Sequence, residues 1–235
     1  MKVKNIRKVA NLVIILMLCI ISIYLGTSSY KYVFSYQNSD VIYNGNRDSN
    51  KVSLMFNVYW GTEYIDDILS VLERYGVKTT FFIGGQWAEK ENEKLQIIVE
   101  SGHEIGNHGY FHKDQEYLDY AQNYDEISVN HNLIKSLTGL SMNLFAPPSG
   151  SFNKSTLSAA SELGYQTIMW SRDTIDWRDK DVNIIYSRAT SEVKGGELIL
   201  CHPTECTLRA LPMILEYYKA NNLICTTVTE CLSNA

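Results

Sequence analysis

Two histidines four residues apart, His108 and His112, end the stretch Gly102-His-Glu-Ile-Gly-Asn-His-Gly-Tyr-Phe-His112. Neutral imidazole is the commonest protein ligand for zinc and its neighbours, and two at this spacing can close on one ion. The same spacing also suits two hydrogen-bonded loop histidines, so the pair needs support from other segments. Four further stretches carry polar and aromatic groups at or just after an apolar run. They are Phe56-Asn-Val-Tyr-Trp-Gly61, Phe145-Ala-Pro-Pro-Ser-Gly-Ser-Phe-Asn153, Trp170-Ser-Arg-Asp-Thr-Ile-Asp-Trp177 and Leu198-Ile-Leu-Cys-His-Pro203.

The elements that must position these groups follow from the hydrophobic pattern. Short apolar runs predict strands over Val52–Phe56, Thr79–Ile83, Glu104–Asn107, Asn143–Phe145, Gln166–Met169, Glu197–Leu200 and Leu223–Thr227. Ile65, Ile68, Leu69 and Leu72 lie on one face of a helix that Gly76 stops, and Leu95, Ile98 and Val99 mark another that Gly102 stops. Further helical patterns cover Tyr117–Thr138, Ser155–Leu163, Val182–Val193 and Leu208–Ala220. Strands that alternate with helices pair in parallel. A closed or nearly closed β/α barrel is the expected α/β fold, with chemistry at the C-terminal ends of its strands. The residues singled out all fall at such ends.

Over residues 51–232 these motifs, in this order, resemble the polysaccharide deacetylase family, the NodB-homology fold. The form Phe-x-x-x-Trp-Gly at residues 56–61 is similar to its sporulation-associated branch. The resemblance implies a distorted (β/α)7 barrel that removes acetyl groups from N-acetylated cell-wall glycan, peptidoglycan or chitin-like, with zinc or another divalent metal. In the family mechanism a metal held by one Asp and two His polarises the acetamide carbonyl and acidifies a water. A second Asp takes the water's proton, an Arg holds that Asp, and a His oriented by a further Asp protonates the leaving amine. Carried onto this chain, His108 and His112 match the metal histidines and His202 matches the proton donor. Asp173 and Asp176 match the carboxylates of the fourth motif, either of which orients His202. Tyr59, Trp60, Pro147, Pro148, Gly150 and Trp177 match the substrate groove.

Three positions depart from the family pattern. Asn57 stands where the base Asp belongs, Val58 where the metal Asp belongs, and Ala146 where the Arg belongs. Asparagine takes no proton at neutral pH, and valine ligates no metal. An Arg buried without its carboxylate would be an unpaired charge costing several kcal/mol, so base and Arg are absent together for one physical reason. A positioned base is worth about 10²–10⁴ in rate. Substitute carboxylates near the site are Asp114, Glu63, Asp66 and Asp67, of which Asp66 and Asp67 read as a solvated first-turn pair. Two readings follow: a metal-dependent deacetylase with a non-standard base, and a silenced relative that binds glycan with no metal. A third is a membrane partner of other envelope proteins with a vestigial cleft.

Composition and termini bound the setting. The chain has 235 residues, 45% of them hydrophobic and 20% charged, enough for one large core. A net charge of −5 gives no basic footprint for nucleic acid. The 16 tyrosines read as half-buried packing. Residues 1–8 carry Lys2, Lys4, Arg7 and Lys8, and residues 9–26 are apolar over roughly 27 Å of helix, near the hydrocarbon thickness. That pattern predicts a transmembrane anchor with the basic flank cytoplasmic and the rest exported; the rival is a cleaved leader with its site near Gly26 to Ser29. Residues 27–50 read as a polar linker. Cys201, Cys206, Cys225 and Cys231 fall near the C-terminus. An exported domain permits disulfides among them, and buried free thiols are the alternative. His103 reads as structural and His131 as a surface residue.

Overall fold

A computed structural model describes residues 13–22 and 41–233. The chain divides into a unit over residues 1–39 and a unit over residues 40–235. In the first, residues 13–22 are helical with exposed side chains. Among the described residues no helix is long and apolar enough to cross a membrane. The ends of the expected anchor, residues 9–12 and 23–26, and the expected linker up to residue 40 lie outside the described residues.

The second unit is built on strand β1, Lys51–Val58, which is buried from Val52 onward. Side chains alternate across a strand. Val52, Leu54, Phe56 and Val58 therefore enter the large core between sheet and helices. Met55 faces the other way and packs with Phe82, Leu144, Ala146, Ile168 and Leu198 in a second, smaller core. Asn57 shares the inward parity of Met55, which puts an amide on the concave side.

The remaining strands are β2 (Thr80–Ile83), β3 (Glu104–Asn107), β4 (Leu144–Phe145), β5 (Gln166–Thr167), β6 (Arg172–Asp173), β7 (Leu198–Cys201) and β8 (Ile224–Cys225). They pair in parallel in the order β5-β4-β3-β2-β1-β7-β6, with β8 against the start of β1. The order narrows the expected closed or nearly closed, distorted (β/α)7 barrel: β5 and β6 end the sheet and do not pair, so the second unit is an open half-barrel of parallel strands. Each end strand has only two residues, too few ladder bonds to bridge the gap. Part of it is covered from the N-terminal side. Ile42 bridges Ile168 in parallel and Asn44 bridges Glu197 antiparallel, so residues 41–50 pack into the domain rather than serving as free linker.

The helices follow the apolar periodicity. Ile65–Arg74 buries Ile65, Ile68, Leu69 and Leu72. The helix expected from Tyr117 starts at Tyr120, because Asp119 and Gln122 form a reciprocal capping box there. The helix expected from Leu208 starts at Glu205, where the Thr204 side chain caps the Thr207 N–H. A short helix, Gly85–Lys90, was not expected; its buried Trp87 donates a hydrogen bond to Thr62 at 2.9 Å. All five cysteines are free thiols, Cys201 and Cys231 buried among them. Burial pushes the Cys225 and Cys231 thiols up to about 12 and about 11.

Candidate active site

Asn57 stands at the end of β1, and the loop after it carries Tyr59 and Trp60. It can lie against the loop after β7 because residue 61 is glycine: φ is 79°, and a Cβ there would sit 2.0 Å from the Pro203 carbonyl oxygen. This approach stacks Trp60 on His202, with ring centroids 5.8 Å apart and planes 7° from parallel.

The loop after β3 carries both metal-type histidines and is pinned from beneath. Asn107 Oδ1 accepts from the Gly109 N–H at 2.9 Å and from Asn130 Nδ2 at 2.8 Å. Buried Glu126 accepts from the N–H groups of Tyr110 and Phe111 at 3.0 and 2.9 Å. His108 is buried, and its Nδ1 lies 2.7 Å from the Ala146 carbonyl oxygen. A carbonyl only accepts, so Nδ1 holds the proton and Nε2 is left bare. Burial, reinforced by the neighbouring His112, lowers the His108 pKa to about 3, against the opposing bond to Ala146. His112, at φ 56°, stacks on Tyr59 at 4.5 Å, and its ring centroid lies 5.0 Å from that of His108. Burial lowers its pKa as well.

The opposite wall is the loop after β6. The question of which carboxylate orients His202 has one answer: Asp176. Its Oδ1 lies 2.7 Å from His202 Nδ1 and its Oδ2 accepts from the His202 N–H at 2.7 Å, with the Thr207 hydroxyl donating to the same oxygen. Ile175 at φ 52° turns the chain so that Asp176 reaches inward. A left-handed β-branched residue is a strained feature that only a surrounding network retains. Arg188 supplies part of that network, donating to the Thr174 carbonyl at 2.9 Å and pairing with Asp179 at 2.7 Å. Asp173 does not touch His202. It accepts from the Ile175 N–H at 2.7 Å and borders the cavity, and burial raises its pKa.

These groups enclose a cavity of about 340 Å³. Its walls are Tyr59, Trp60, Trp170 and Trp177, and its polar groups include Asn57, His108, His112, Asp173 and His202. The site residues expected from sequence thus converge, with one correction. Pro147, Pro148 and Gly150 do not line the cavity; Ser149 does. Gly150 instead lets the loop lie under Trp170, where a Cβ would come 2.8 Å from the indole. Trp170, Ser149 and Leu200 were not expected to line it. Trp170 had a visible signal, an aromatic ring directly after the fifth apolar run. His103 is structural, its Nδ1 accepting from the Thr79 N–H at 3.2 Å. His131 is not a simple surface residue: its Nδ1 meets the Tyr165 hydroxyl at 2.6 Å.

The donor set does not fit the metal that the fold family implies. A catalytic zinc takes three protein ligands. Here two imidazoles stand alone, and among the described residues no three His, Cys, Asp or Glu side chains are grouped to hold an ion. Val58 is fully buried in the sheet–helix core. Asp114 is exposed and does not line the cavity, though its charge bears on His112, and Asp66 is paired with Lys94. Asn57 keeps a buried Oδ1 without a hydrogen-bond partner, in place of an anion.

Comparison with known proteins agrees with this geometry. The family description "Polysaccharide deacetylase" matches residues 44–168. The Bacillus subtilis protein YlxY is 36% identical over 81% of this chain and 60% of its own length. The B. subtilis peptidoglycan-N-acetylmuramic acid deacetylase PdaA is 32% identical over 69% of this chain and 64% of its own. The chain thus spans less than two thirds of these relatives. Among solved structures, a wild-type CE4 family pseudoenzyme from Bacillus anthracis superposes with TM-score 0.81 at 33% identity, covering 83% of this chain and 70% of that one. A mutant of that pseudoenzyme with restored enzymatic activity matches with TM-score 0.81 at 31% identity, over 83% of this chain and 72% of that one.

Proposed function

The chain belongs to the polysaccharide deacetylase (CE4) family, and on that premise we propose that it is a silenced, peptidoglycan deacetylase-like member that binds cell-wall glycan without hydrolysing it. One observation carries the reading. Where the family carries its base, metal carboxylate and Arg this chain has Asn57, buried Val58 and buried Ala146, while the two histidines, the aromatic cleft and the Asp176–His202 pair are in place. Binding surfaces need the second set; turnover needs both. Kinship with PdaA supports peptidoglycan as the polymer class, and kinship with a pseudoenzyme supports the loss of turnover. The basic flank and the apolar run over residues 9–26 support a single-pass membrane anchor with the barrel outside the cytoplasm.

The intact Asp176–His202 pair favours a second reading: slow metal-dependent hydrolysis of the acetamide C–N bond of N-acetylated glycan, with an unusual base. One experiment separates the two. The full chain in detergent is incubated with zinc or cobalt, and acetate release is measured from peptidoglycan fragments and chitin oligomers. It is repeated for the combined variant Asn57→Asp, Val58→Asp, Ala146→Arg. Binding without acetate release by the native chain, and release by the combined variant, is the expected result. Release by the native chain that His202→Ala abolishes overturns the silenced reading.

A further inference from the structure

The chemistry of the cavity lining goes further than glycan binding in general. Four aromatic rings, Tyr59, Trp60, Trp170 and Trp177, surround it, with the Asp173 carboxylate at its border. Among the described residues no lysine or arginine lines it. His108 turns a bare Nε2 away from its bond to Ala146, and Asn57 holds a buried oxygen with no donor. Aromatic faces and a carboxylate attract a cation, and an ammonium brings three donors that want acceptors and asks for no donor from the protein. An acetamide asks for the reverse: a positive charge to hold its carbonyl oxygen. The family pattern provides one, and here Val58 and Ala146 replace the residues that would bring or balance it.

Resting on the glycan-binding reading above, we propose that the cavity seats a cell-wall sugar whose amine is free, the deacetylated unit, in preference to its N-acetylated form. The silenced centre then reads the product that active relatives leave in the polymer. Asp173 holds the ammonium together with the faces of Trp60 and Trp177 that His202 and Arg178 leave open.

The test is calorimetric titration of the full chain, in detergent and after chelator treatment, with acetylated and deacetylated chitin oligomers of equal length. The deacetylated oligomer is expected to bind about tenfold more tightly. Asp173→Asn keeps the oxygen that accepts from Ile175 and is expected to erase that preference, bringing the two affinities within about twofold of each other. Trp177→Ala is expected to weaken both. Equal affinities, or preference for the acetylated oligomer, overturn the proposal and leave glycan binding standing. A preference that survives both substitutions also overturns it, because attraction to the chain's net negative charge then explains the binding. If neither oligomer nor peptidoglycan fragments bind, the glycan-binding reading itself falls.

Discussion

The Asp176 carboxylate holds His202 at two points, 2.7 Å from the ring Nδ1 through one oxygen and 2.7 Å from the backbone N–H through the other. Breaking a buried, hydrogen-bonded charge leaves donors unpaired. Asp176→Asn is therefore expected to cost about 2–3 kcal/mol in urea denaturation. Asp173→Asn, which keeps its acceptor for Ile175, is expected to cost less than about 1 kcal/mol. In the combined variant with restored carboxylates and Arg, Asp176→Asn is further expected to cut acetate release by about 10²–10⁴, as loss of an oriented proton donor does. Equal stability losses at 173 and 176 would remove the distinction between the two carboxylates.

Why the sequence separated these two residues poorly is instructive. Both follow the same apolar run, and the turn that decides between them sits at Ile175, a residue type with no tendency to adopt φ 52°. The two-residue strand β6 escaped for a related reason, since Arg172–Asp173 has no apolar pattern and exists only by pairing with β7. Long elements with a sustained period, such as the helix burying Ile65, Ile68 and Leu72, were legible to within a residue. Openness of the barrel was not legible, because it depends on how few bonds the end strands make. The site was legible as a set of residue types at strand ends; that Ser149 rather than Pro147 or Pro148 lines the cavity needed the fold.

Acid should destabilise the domain well before its carboxylates titrate. Burial is the main cause that lowers His108 to about 3 and His103 to about 4, from 6.5. Both rings stay neutral when folded and take up protons when unfolded, so stability is complete above pH 6.5 and is lost as pH falls through the window between 6.5 and those values. Each ring contributes about 1.4 kcal/mol per pH unit there. Asp173, raised by burial, acts in the opposite sense nearer the carboxylate range. Urea midpoints at pH 7 and pH 5 measure the slope, and His108→Gln is expected to lower it by about 1.4 kcal/mol per pH unit, leaving the parts that His103 and His112 supply. A midpoint independent of pH across that interval contradicts the neutral, buried assignment.

Trp60 and Trp177 both border the cavity but are held differently. Trp177 is 54% exposed, whereas Trp60 is stacked on His202. Trp177→Ala is expected to change stability by less than about 0.5 kcal/mol and to weaken glycan affinity about tenfold. Trp60→Ala is expected to lower affinity similarly and to loosen His202 as well, visible as a changed imidazole NMR shift. An affinity untouched by either substitution would place the glycan elsewhere on the domain.

Val58 lies fully buried among the side chains between sheet and helices, at the position where the family carries a metal-binding carboxylate. Val58→Asp places an unpartnered carboxylate there, which is expected to cost about 3 kcal/mol or more. For a domain of this size that is a fall in Tm of about 6–12 °C. Zinc binding by this carboxylate together with His108 and His112 requires the end of β1 to turn the side chain from that core to the cavity. Zinc at about 100 times its Kd is then expected to return about 2.7 kcal/mol, because it binds the folded state alone. The native chain, which offers two imidazoles and a valine, is expected to show no zinc-dependent rise in Tm. Thermal melts of both proteins with chelator and with zinc decide the matter. A rise of equal size in the native chain means that His108, His112 and Asn57 suffice to bind the ion, and the case for a silenced centre then loses its main support.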